Sequence, residues 1–451
     1  MVEDSKYDKS RILCKMGIKY LYDTSSYQDT IDKFYKKNND DNFLTLEVTF
    51  QITEDCNLNC SYCYQKNKTH KKMDFGTAKI IVDNILDDDS ILNKYTNLKN
   101  YVAVSLEFIG GEPLLEIELI QQICEYFIEQ AIAKHHRFAL NFMINMTSNG
   151  LLYFKPEVQE FLNKFGNHVY ISISLDGTKE LHDKCRLTKN GEPTYDKALL
   201  AAQDLLKKYG PEAGTKMTIS PDNIQYLYAG VRNMYELGYR NINANCVYEA
   251  GWTLEHAKEY YYQLKQIADW FLEDNILGEC KFSLFDESNY TFDSDDKNWC
   301  GGDGKMLAFN PEGEVFPCLR YMESSIGNDQ PPYSLGNIKT DICRTEIEKE
   351  RLQCLKCITK SSQSEEKCIT CPIAKGCGWC SAYNYQVNGT PNKRVTYICD
   401  MHKAASLANV YFWNKFYKLK NINKIFPINC PKEWAEEIIG KDEYIILSSL
   451  Y

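Results

Sequence analysis

Apolar and polar residues alternate along the segment Leu44–Ile52, with Leu46, Val48 and Phe50 on one side. A period of two predicts a β-strand with one buried face. Apolar segments of strand length recur further along the chain, each followed by a longer segment with helical periodicity. The predicted strands are Leu44–Ile52, Val102–Ile109, Leu140–Thr147, Val169–Leu175, Lys216–Ile219 and Asn241–Val247.

The predicted helices alternate with these strands. They are Phe75–Leu86, Leu114–Ala133, Pro156–Phe165, Tyr195–Tyr209, Asn223–Leu237 and Thr253–Leu277. Regular alternation of strand and helix predicts an α/β fold with a parallel sheet and right-handed crossovers. Six units, rather than the eight of a closed barrel, predict a partial (β/α)6 TIM-like barrel with an open side.

The composition changes after Leu277, and four segments are expected on that basis. Residues 1–43 are polar and form an N-terminal extension with a short helix around Asp29–Lys37. Residues 44–277 form the barrel. Residues 278–403 form a small domain that holds 11 cysteines, with a β-hairpin at Leu307–Cys318. Residues 404–451 form a helical tail, with an aromatic helical segment at Val410–Leu419.

Charge and cysteine content restrict the class of protein. A net charge of −10 argues against phosphate-based nucleic-acid binding, although it would attract a basic peptide. The start of the chain is charged and polar, which does not fit a signal peptide, and no segment approaches the apolar length of a membrane span. We therefore expect a cytoplasmic protein with no membrane partner. Its 19 cysteines then indicate metal ligation rather than disulfides.

Cys56, Cys60 and Cys63 follow the first strand with the spacing C-x3-C-x2-C. They therefore belong to a loop at the carboxyl end of a strand, where α/β barrels keep their chemistry. A tetrahedral zinc site uses four ligands, whereas three cysteines on a four-iron cluster leave one iron open. The alternatives are a zinc knuckle, or three thiols packed as small apolar side chains.

This loop resembles the signature of radical S-adenosylmethionine (SAM) enzymes. The resemblance implies a 4Fe–4S cluster on the three cysteines, whose open iron binds the amino and carboxylate groups of SAM. Tyr62 matches the aromatic residue that precedes the last cysteine in that family, which implies a place near the adenine. The reduced cluster then passes one electron to SAM, and the 5′-deoxyadenosyl radical that results takes a hydrogen from the substrate.

Two further loops match the same family. Gly110, Gly111, Glu112 and Pro113 follow the second strand, and in the family this motif binds the SAM amino group. A plain turn is the alternative. The loops after the third and fourth strands resemble the region that binds the ribose and the carboxylate. The residues expected to contact SAM there are Thr147, Asn149, Ser174, Asp176 and Arg186, although Asn-Gly and Asp-Gly are also ordinary turn dipeptides.

The later cysteines resemble the SPASM domain, which extends many radical SAM enzymes and holds up to two auxiliary 4Fe–4S clusters. By this resemblance, one cluster is bound by Cys368, Cys371, Cys377 and Cys399. The other is bound by Cys300, Cys318 and Cys380. Two residues, Gly378 and Trp379, separate Cys377 from Cys380, where the family usually has three. Zinc knuckles are the alternative for these cysteines.

The second auxiliary set has only three cysteines, because the segment Ser288–Trp299 contains none. We expect an open iron there that could bind a substrate thiolate, unless Cys354 or Cys357 supplies the fourth ligand. The remaining cysteines are expected to be structural: Cys14, Cys124, Cys185, Cys246, Cys280, Cys343 and Cys430.

The combined resemblance implies a radical SAM peptide maturase of the thioether-forming, ranthipeptide type. The implied partners are a ribosomally made, cysteine-rich precursor peptide with a leader, and an electron donor such as flavodoxin or ferredoxin. Formylglycine formation, as in anaerobic sulfatase maturases, and carbon–carbon crosslinking are alternatives. Leu319 follows Cys318 where sulfatase maturases usually have Asp, which disfavours the first. A non-catalytic zinc-binding scaffold is the alternative of another class.

Overall fold

The computed structural model describes residues 44–211, 213–288, 290, 300–327, 330–374, 377 and 380–450. The expected N-terminal extension, residues 1–43, lies outside the described residues. Gly378 and Trp379, whose spacing departs from the SPASM pattern, also lie outside them, as does most of the segment Ser288–Trp299.

An eight-stranded sheet forms the centre of the molecule. The described residues form twelve strands, four of which pair outside this sheet. They are β1 (Leu44–Gln51), β2 (Tyr101–Ile109), β3 (Phe142–Ser148), β4 (Val169–Ser174), β5 (Gly214–Ile219), β6 (Asn241–Ile242), β7 (Ala244–Cys246), β8 (Lys281–Phe282), β9 (Met306–Phe309), β10 (Val315–Phe316), β11 (Gly336–Asn337) and β12 (Asp341–Ile342). The central sheet has the order β10-β9-β1-β2-β3-β4-β5-β7, and all its pairs are parallel except β9–β10.

Helices connect and cover these strands. They are α1 (Phe75–Ile85), α2 (Ile117–Ala133), α3 (Pro156–Phe165), α4 (Lys179–Cys185), α5 (Tyr195–Tyr209), α6 (Leu227–Glu236), α7 (Leu254–Glu273), α8 (Glu323–Ile326), α9 (Glu346–Lys356), α10 (Lys360–Gln363), α11 (Glu366–Ile369), α12 (Ser381–Asn388), α13 (Cys399–Leu419) and α14 (Lys432–Ser448). No helix among the described residues is both long and apolar enough to cross a membrane.

The predicted partial barrel is confirmed, and the hydrophobic pattern explains it. Leu46, Val48 and Phe50 are fully buried, as the alternation along β1 predicts. Helices α3 and α5 have the predicted bounds. Pro156 begins α3, where a proline fits the first helical turn, and Gly166 follows it with a φ of 53°. Helix α4, only seven residues long, was missed by the periodicity.

Two expectations need correction. The sixth predicted strand, Asn241–Val247, is divided, because β6 pairs with β8 in a separate small sheet while β7 continues the central sheet beside β5. The predicted hairpin exists as β9 and β10, but it does not stand apart from the barrel. Strand β9 pairs in parallel with β1, with Leu307 opposite Val48 and Phe309 opposite Phe50.

The last two helices pack on the barrel. Helix α13 lies against α7, and its Phe412 ring also stacks on the ring of Phe285, which follows β8, with centroids 4.2 Å apart. Helix α14 contacts α7 through Glu443, which accepts hydrogen bonds from Tyr261 Oη and Lys265 Nζ. The boundary expected at residues 403/404 lies inside α13, which begins at Cys399.

Candidate active site and cysteine clusters

A cavity of about 360 Å³ lies at the carboxyl ends of the central strands. It is lined by the cysteine loop after β1, by residues of β2, β3, β4, β5 and β7, by the segments that follow β2, β3, β4 and β7, and by the segment after β10. In a parallel barrel all these loops come from the same edge of the sheet. The sequence placed nine of the lining residues in the SAM site besides the three cysteines. They are Tyr62, Gly110, Gly111, Glu112, Pro113, Thr147, Asn149, Ser174 and Arg186.

Hydrogen bonds anchor the cysteine loop beside its first thiol and again between its thiols. Cys56 N donates to Asp55 Oδ1 at 2.8 Å, and Leu58 N donates to Cys56 Sγ at 3.4 Å. Further along, Asn59 N and Ser61 N donate to the carbonyl oxygens of Leu187 and Cys185. The loop is therefore held by backbone contacts to the segment that follows α4.

The three loop thiols are free and open into the cavity. Burial raises the pKa of Cys56 to about 11 and also raises the pKa of Cys60. Lys68 lies beside all three, and their charges raise its pKa despite the opposing effect of its burial. A bound metal would displace the thiol protons, as it does in thiolate sites generally.

Gly110 and Gly111 let the loop after β2 pack directly on the cysteine loop. Gly111 N donates to Thr53 O at 3.1 Å, and Glu112 N donates to Asp55 O at 2.9 Å. A Cβ on Gly111 would stand 2.3 Å from Asp55 O and 2.6 Å from the Cβ of Cys56. The close approach that the two glycines permit is therefore first of all an approach of one protein loop to another.

Glu112 is fully buried and already accepts three hydrogen bonds within the protein. Ser148 Oγ donates at 2.8 Å, Asn149 N at 2.9 Å and Leu114 N at 3.1 Å. Burial raises its pKa to about 6, against the opposing effect of these three donors. A carboxylate offers about four acceptor positions, so one remains for a cationic ligand group.

Tyr62, Asp176 and Arg186 form a connected buried group. Arg186 donates to Asp176 through Nε at 2.8 Å and through Nη2 at 3.2 Å, and Tyr62 Oη also donates to this carboxylate. The guanidinium carbon lies 5.2 Å from the centre of the Tyr62 ring. Asp176 is fully buried behind Arg186, so it orients the arginine and the tyrosine while those two line the cavity.

The remaining residues predicted near SAM lie on the same side. Asn149 Nδ2 donates to Asn57 Oδ1 at 2.6 Å, which ties the loop after β3 to the cysteine loop. Thr147 and Ser174, at the ends of β3 and β4, line the cavity directly. The structure therefore brings the scattered sequence motifs together around the cysteine loop.

The residues present fit an iron–sulfur cluster and SAM in two respects. Three soft thiolate donors come from one loop and face one cavity, and thiolates are the ligands that such clusters use. A buried carboxylate and a buried guanidinium stand beside them, matching an ammonium and a carboxylate. Within the described ranges, no three His, Cys, Asp or Glu side chains stand ready to hold a single metal ion.

The three-cysteine set of Cys300, Cys318 and Cys380 is connected by electrostatic contacts at Cys318. Cys318 follows β10 and is buried, and both Cys380 and Cys300 help burial to raise its pKa. Cys300 Sγ lies 3.4 Å from Ser381 Oγ, and Cys380 accepts a hydrogen bond from Tyr383 N at the start of α12. Burial and charge thus link the three cysteines that the SPASM resemblance groups together.

The four-cysteine set of Cys368, Cys371, Cys377 and Cys399 includes the first residue of α13, Cys399. Cys371 interacts electrostatically with Cys377 and Cys368, and Cys399 interacts with the same two thiols. Burial is the main reason that the pKa of each of these four thiols is raised, to about 12 for Cys399. The electrostatic contacts among these four thiols fit the four-thiolate cluster that the resemblance implies.

The two candidate extra ligands lie on α9. The Cys354 thiol and the Tyr333 side chain form a hydrogen bond. Cys357 is exposed at the end of the helix, where Gln353 Nε2 donates to its sulfur at 3.1 Å. Whether either thiol completes the set of Cys300, Cys318 and Cys380 stays a prediction.

A second group of residues that line the cavity was not predicted from the sequence. They are Gln65, Lys68, Glu107, Lys216, Cys246, Tyr248, Glu249 and Arg320. Cys246, which we expected to be structural only, ends β7 and lies at the cavity wall, where burial raises its pKa to about 12. Gln65, two residues after a cluster cysteine, and Glu249 and Arg320, which follow strands, had a usable signal in the sequence. Which strand ends share a cavity, however, depends on the curvature of the sheet.

The fold and the site together define a class: partial-barrel enzymes with a thiolate-rich loop at the strand ends. A family model described as the Radical SAM superfamily matches residues 50–227, and this part of the chain is a radical SAM domain. The chain is therefore an enzyme that contains a radical SAM domain, and this domain family uses a 4Fe–4S cluster and SAM. The non-catalytic zinc scaffold is set aside.

Several curated relatives extend beyond this domain. An uncharacterized protein of Methanocaldococcus jannaschii is 28% identical over 300 residues, covering 66% of this chain and 93% of its own length. The serine-type anaerobic sulfatase-maturating enzyme of Bacteroides thetaiotaomicron is 22% identical, covering 84% and 92%. The antilisterial bacteriocin subtilosin biosynthesis protein AlbA of Bacillus subtilis is 23% identical, covering 81% and 73%.

The fold also matches solved structures. The structure of native anSMEcpe with bound AdoMet and Cp18Cys peptide superposes with a TM-score of 0.60 at 20% sequence identity. The match covers 84% of this chain and 98% of that one. Such a likeness confirms the fold of the barrel together with its C-terminal extension.

Proposed function

We propose that the protein is a peptide maturase that joins a cysteine of a ribosomally made precursor to a carbon of the same peptide through a thioether. One observation carries the proposal. The cavity that holds the cysteine loop is also bordered by Leu319 and Arg320, which directly follow the auxiliary cysteine Cys318. A substrate in this cavity therefore lies between the cysteine loop and the three-cysteine set that contains Cys318.

The relatives support the peptide as substrate class. They include sulfatase-maturating enzymes, a subtilosin biosynthesis protein and a sporulation killing factor maturation protein. The length of the matches, which reach into the cysteine-rich C-terminal region, supports the same class.

Each side of the cavity has a separate role in this proposal. Cys56, Cys60 and Cys63 hold the SAM cluster, which when bound supplies the electron that splits SAM into methionine and a hydrogen-abstracting 5′-deoxyadenosyl radical. Glu112 accepts from the SAM ammonium, and Arg186, fixed by Asp176, binds its carboxylate. Tyr62 borders the adenine.

The thioether is balanced in atoms and electrons as follows. The substrate carbon loses one hydrogen atom, the cysteine thiol loses one proton, and the new C–S bond releases one electron. The two C-terminal cysteine sets would hold the clusters that accept that electron. An open iron at Cys300, Cys318 and Cys380 would in addition bind the substrate thiolate.

Formylglycine formation is the second candidate, supported by the sulfatase-maturating relatives. Leu319 favours the thioether, because it places an apolar side chain at the cavity wall where sulfatase maturases usually have an aspartate. The proposed partners are a leader-bearing precursor peptide and a small electron-transfer protein such as flavodoxin or ferredoxin.

The test uses a triple variant, Cys56→Ala, Cys60→Ala and Cys63→Ala, reconstituted anaerobically with iron and sulfide. We expect it to form no 5′-deoxyadenosine from SAM under dithionite, while it retains the iron of the two C-terminal sets. The wild-type enzyme should convert the precursor peptide to a product lighter by two hydrogens, with one thiol fewer for alkylation.

The matched control is Cys124→Ala, which removes a buried thiol of α2 far from the cysteine loop and should leave both activities intact. Continued 5′-deoxyadenosine formation by the triple variant would contradict the cluster assignment. A product with an aldehyde in place of the thiol would favour formylglycine formation instead.

A further inference from the structure

Gln65 lies two residues after Cys63 and lines the same cavity. Its side chain is only 4% exposed. The amide nitrogen Nε2 has no hydrogen-bond partner among the residues that the structure describes. A buried donor without an acceptor is unfavourable, and native proteins rarely retain one without a role. Gln65 therefore offers a hydrogen bond to something that enters the cavity.

The backbone around Gln65 is held in place from the C-terminal region. Asn67 N donates to Ser324 O at 3.2 Å, and Gln51 Nε2 donates to Ser324 Oγ at 2.7 Å. Ser324 belongs to α8, which follows the loop of Arg320. Ser324 thus contacts both β1 and the segment that carries Gln65.

The neighbouring wall of the cavity is polar and already internally paired. Arg320 and Glu249 form an ion pair whose side chains are 17% and 14% exposed. The Arg320 guanidinium lies 4.8 Å from the centre of the Tyr64 ring. Apart from Tyr62 on the cysteine loop, the side chains assigned to SAM come from β3, β4 and the segments that follow β2, β3 and β4. Gln65 and this wall therefore border the part of the cavity that the cofactor leaves to the substrate.

We infer that Gln65 donates its side-chain amide hydrogen to a backbone carbonyl oxygen of the substrate peptide, which lies along the wall formed by Tyr64, Arg320 and Glu249. A neutral amide donor suits an uncharged acceptor, and every residue of a peptide carries a carbonyl oxygen. The neighbouring Arg320 is already paired with Glu249, so a substrate needs no charged group to bind along this wall. The inference rests on the proposed function, because it requires a peptide in the cavity.

The experiment compares Gln65→Leu with the wild type in three measurements on the reconstituted enzyme. Leucine has a similar volume and removes the unpaired donor, so the thermal midpoint should stay the same or rise. SAM affinity should be unchanged. Affinity for a fluorescein-labelled synthetic cysteine-rich precursor peptide should fall about 2- to 13-fold in fluorescence anisotropy, the usual range for one lost hydrogen bond.

Gln65→Met serves as the second variant, and Gln121→Leu, on the outer helix α2, is the matched control. A clear fall in thermal midpoint for both Gln65 variants would mean that Nε2 has a structural partner, which overturns the inference. Weaker SAM binding with unchanged peptide binding would assign Gln65 to the cofactor and also overturn it. Wild-type enzyme that neither binds nor modifies the peptide would overturn the proposed function, and the inference with it.

Discussion

At the scale of single residues, His182 shows how burial fixes a protonation state beside the site. Thr194 Oγ1 donates to Arg186 O at 2.5 Å, so it must accept the hydrogen of His182 Nε2, 3.1 Å away. Nδ1 then accepts from Asp176 N. Both ring nitrogens of a neutral histidine are therefore used, and burial, followed by the charge of Arg186, lowers the pKa of His182 to about 4.

A pH dependence of stability follows from His182. His182 has a pKa near 6.5 in the unfolded chain and of about 4 in the folded protein, so the unfolded chain binds a proton at a higher pH. The contribution is thus complete above pH 6.5 and lost as the pH falls toward 4. Between pH 7 and pH 5 the loss is about 2 kcal/mol. The thermal midpoint of the wild type should therefore fall more over this range than that of His182→Gln. Parallel curves would contradict this prediction.

The close packing of Gly111 leads to a second prediction about a single residue. In Gly111→Ala the added methyl would overlap Asp55 O and the Cβ of Cys56, so the cysteine loop must move. We expect a destabilisation of about 2 kcal/mol, together with loss of iron from the SAM cluster. Iron content and thermal midpoint measure the two effects.

The matched control for that change is Gly251→Ala, where a Cβ meets nothing within 4 Å and the backbone is not left-handed. It should behave as the wild type. Full iron content in Gly111→Ala would show that the cysteine loop tolerates displacement.

At the scale of elements, the informative feature is the pairing of β9 with β1. Tyr95 Oη and Tyr101 Oη also donate to the carbonyl oxygens of Gly302 and Gly304, just before β9. The cysteine-rich region therefore completes the sheet that carries the SAM loop. Without β9, the first strand would become an open edge with unpaired backbone groups.

A truncated chain that ends before Cys300 tests this pairing. It keeps all the motifs of the SAM site, yet it exposes the β1 edge and the buried faces of Val48 and Phe50. We expect it to aggregate or to unfold without cooperativity, measured by size-exclusion chromatography and thermal unfolding. A soluble, cooperatively unfolding fragment would show that the barrel is an independent unit.

At the scale of the whole molecule, the open side of the barrel is closed near its mouth by side chains. Strands β7 and β10 are the two ends of the central sheet and are not paired with each other. Glu249 follows β7 and Arg320 follows β10, and their ion pair joins the two ends. Tyr397 Oη adds a hydrogen bond to Tyr248 O. The cavity is therefore bounded by contacts between segments far apart in the chain.

A double-mutant cycle on this ion pair tests the closure. Arg320→Met and Glu249→Gln should each destabilise the protein, and the double variant should lose less than their sum. We expect a coupling of about 1–2 kcal/mol, because both side chains are largely buried. The control cycle uses the exposed pair Lys258 and Glu255 on α7, where coupling should be near zero. Additive losses at Arg320 and Glu249 would contradict the closure.

The sequence by itself determined the α/β class, the bounds of helices such as α3 and α5, and the cysteine loop after β1. Local periodicity, proline and glycine positions and motif spacing carry that information, because each depends on residues close in the chain. Tertiary structure alone decided that β9 joins β1, that Asp176 stands behind Arg186, and that Gln65, Glu249 and Arg320 share the cavity. These contacts join segments far apart in sequence, and the curvature of the sheet, which no local pattern encodes, brings them together.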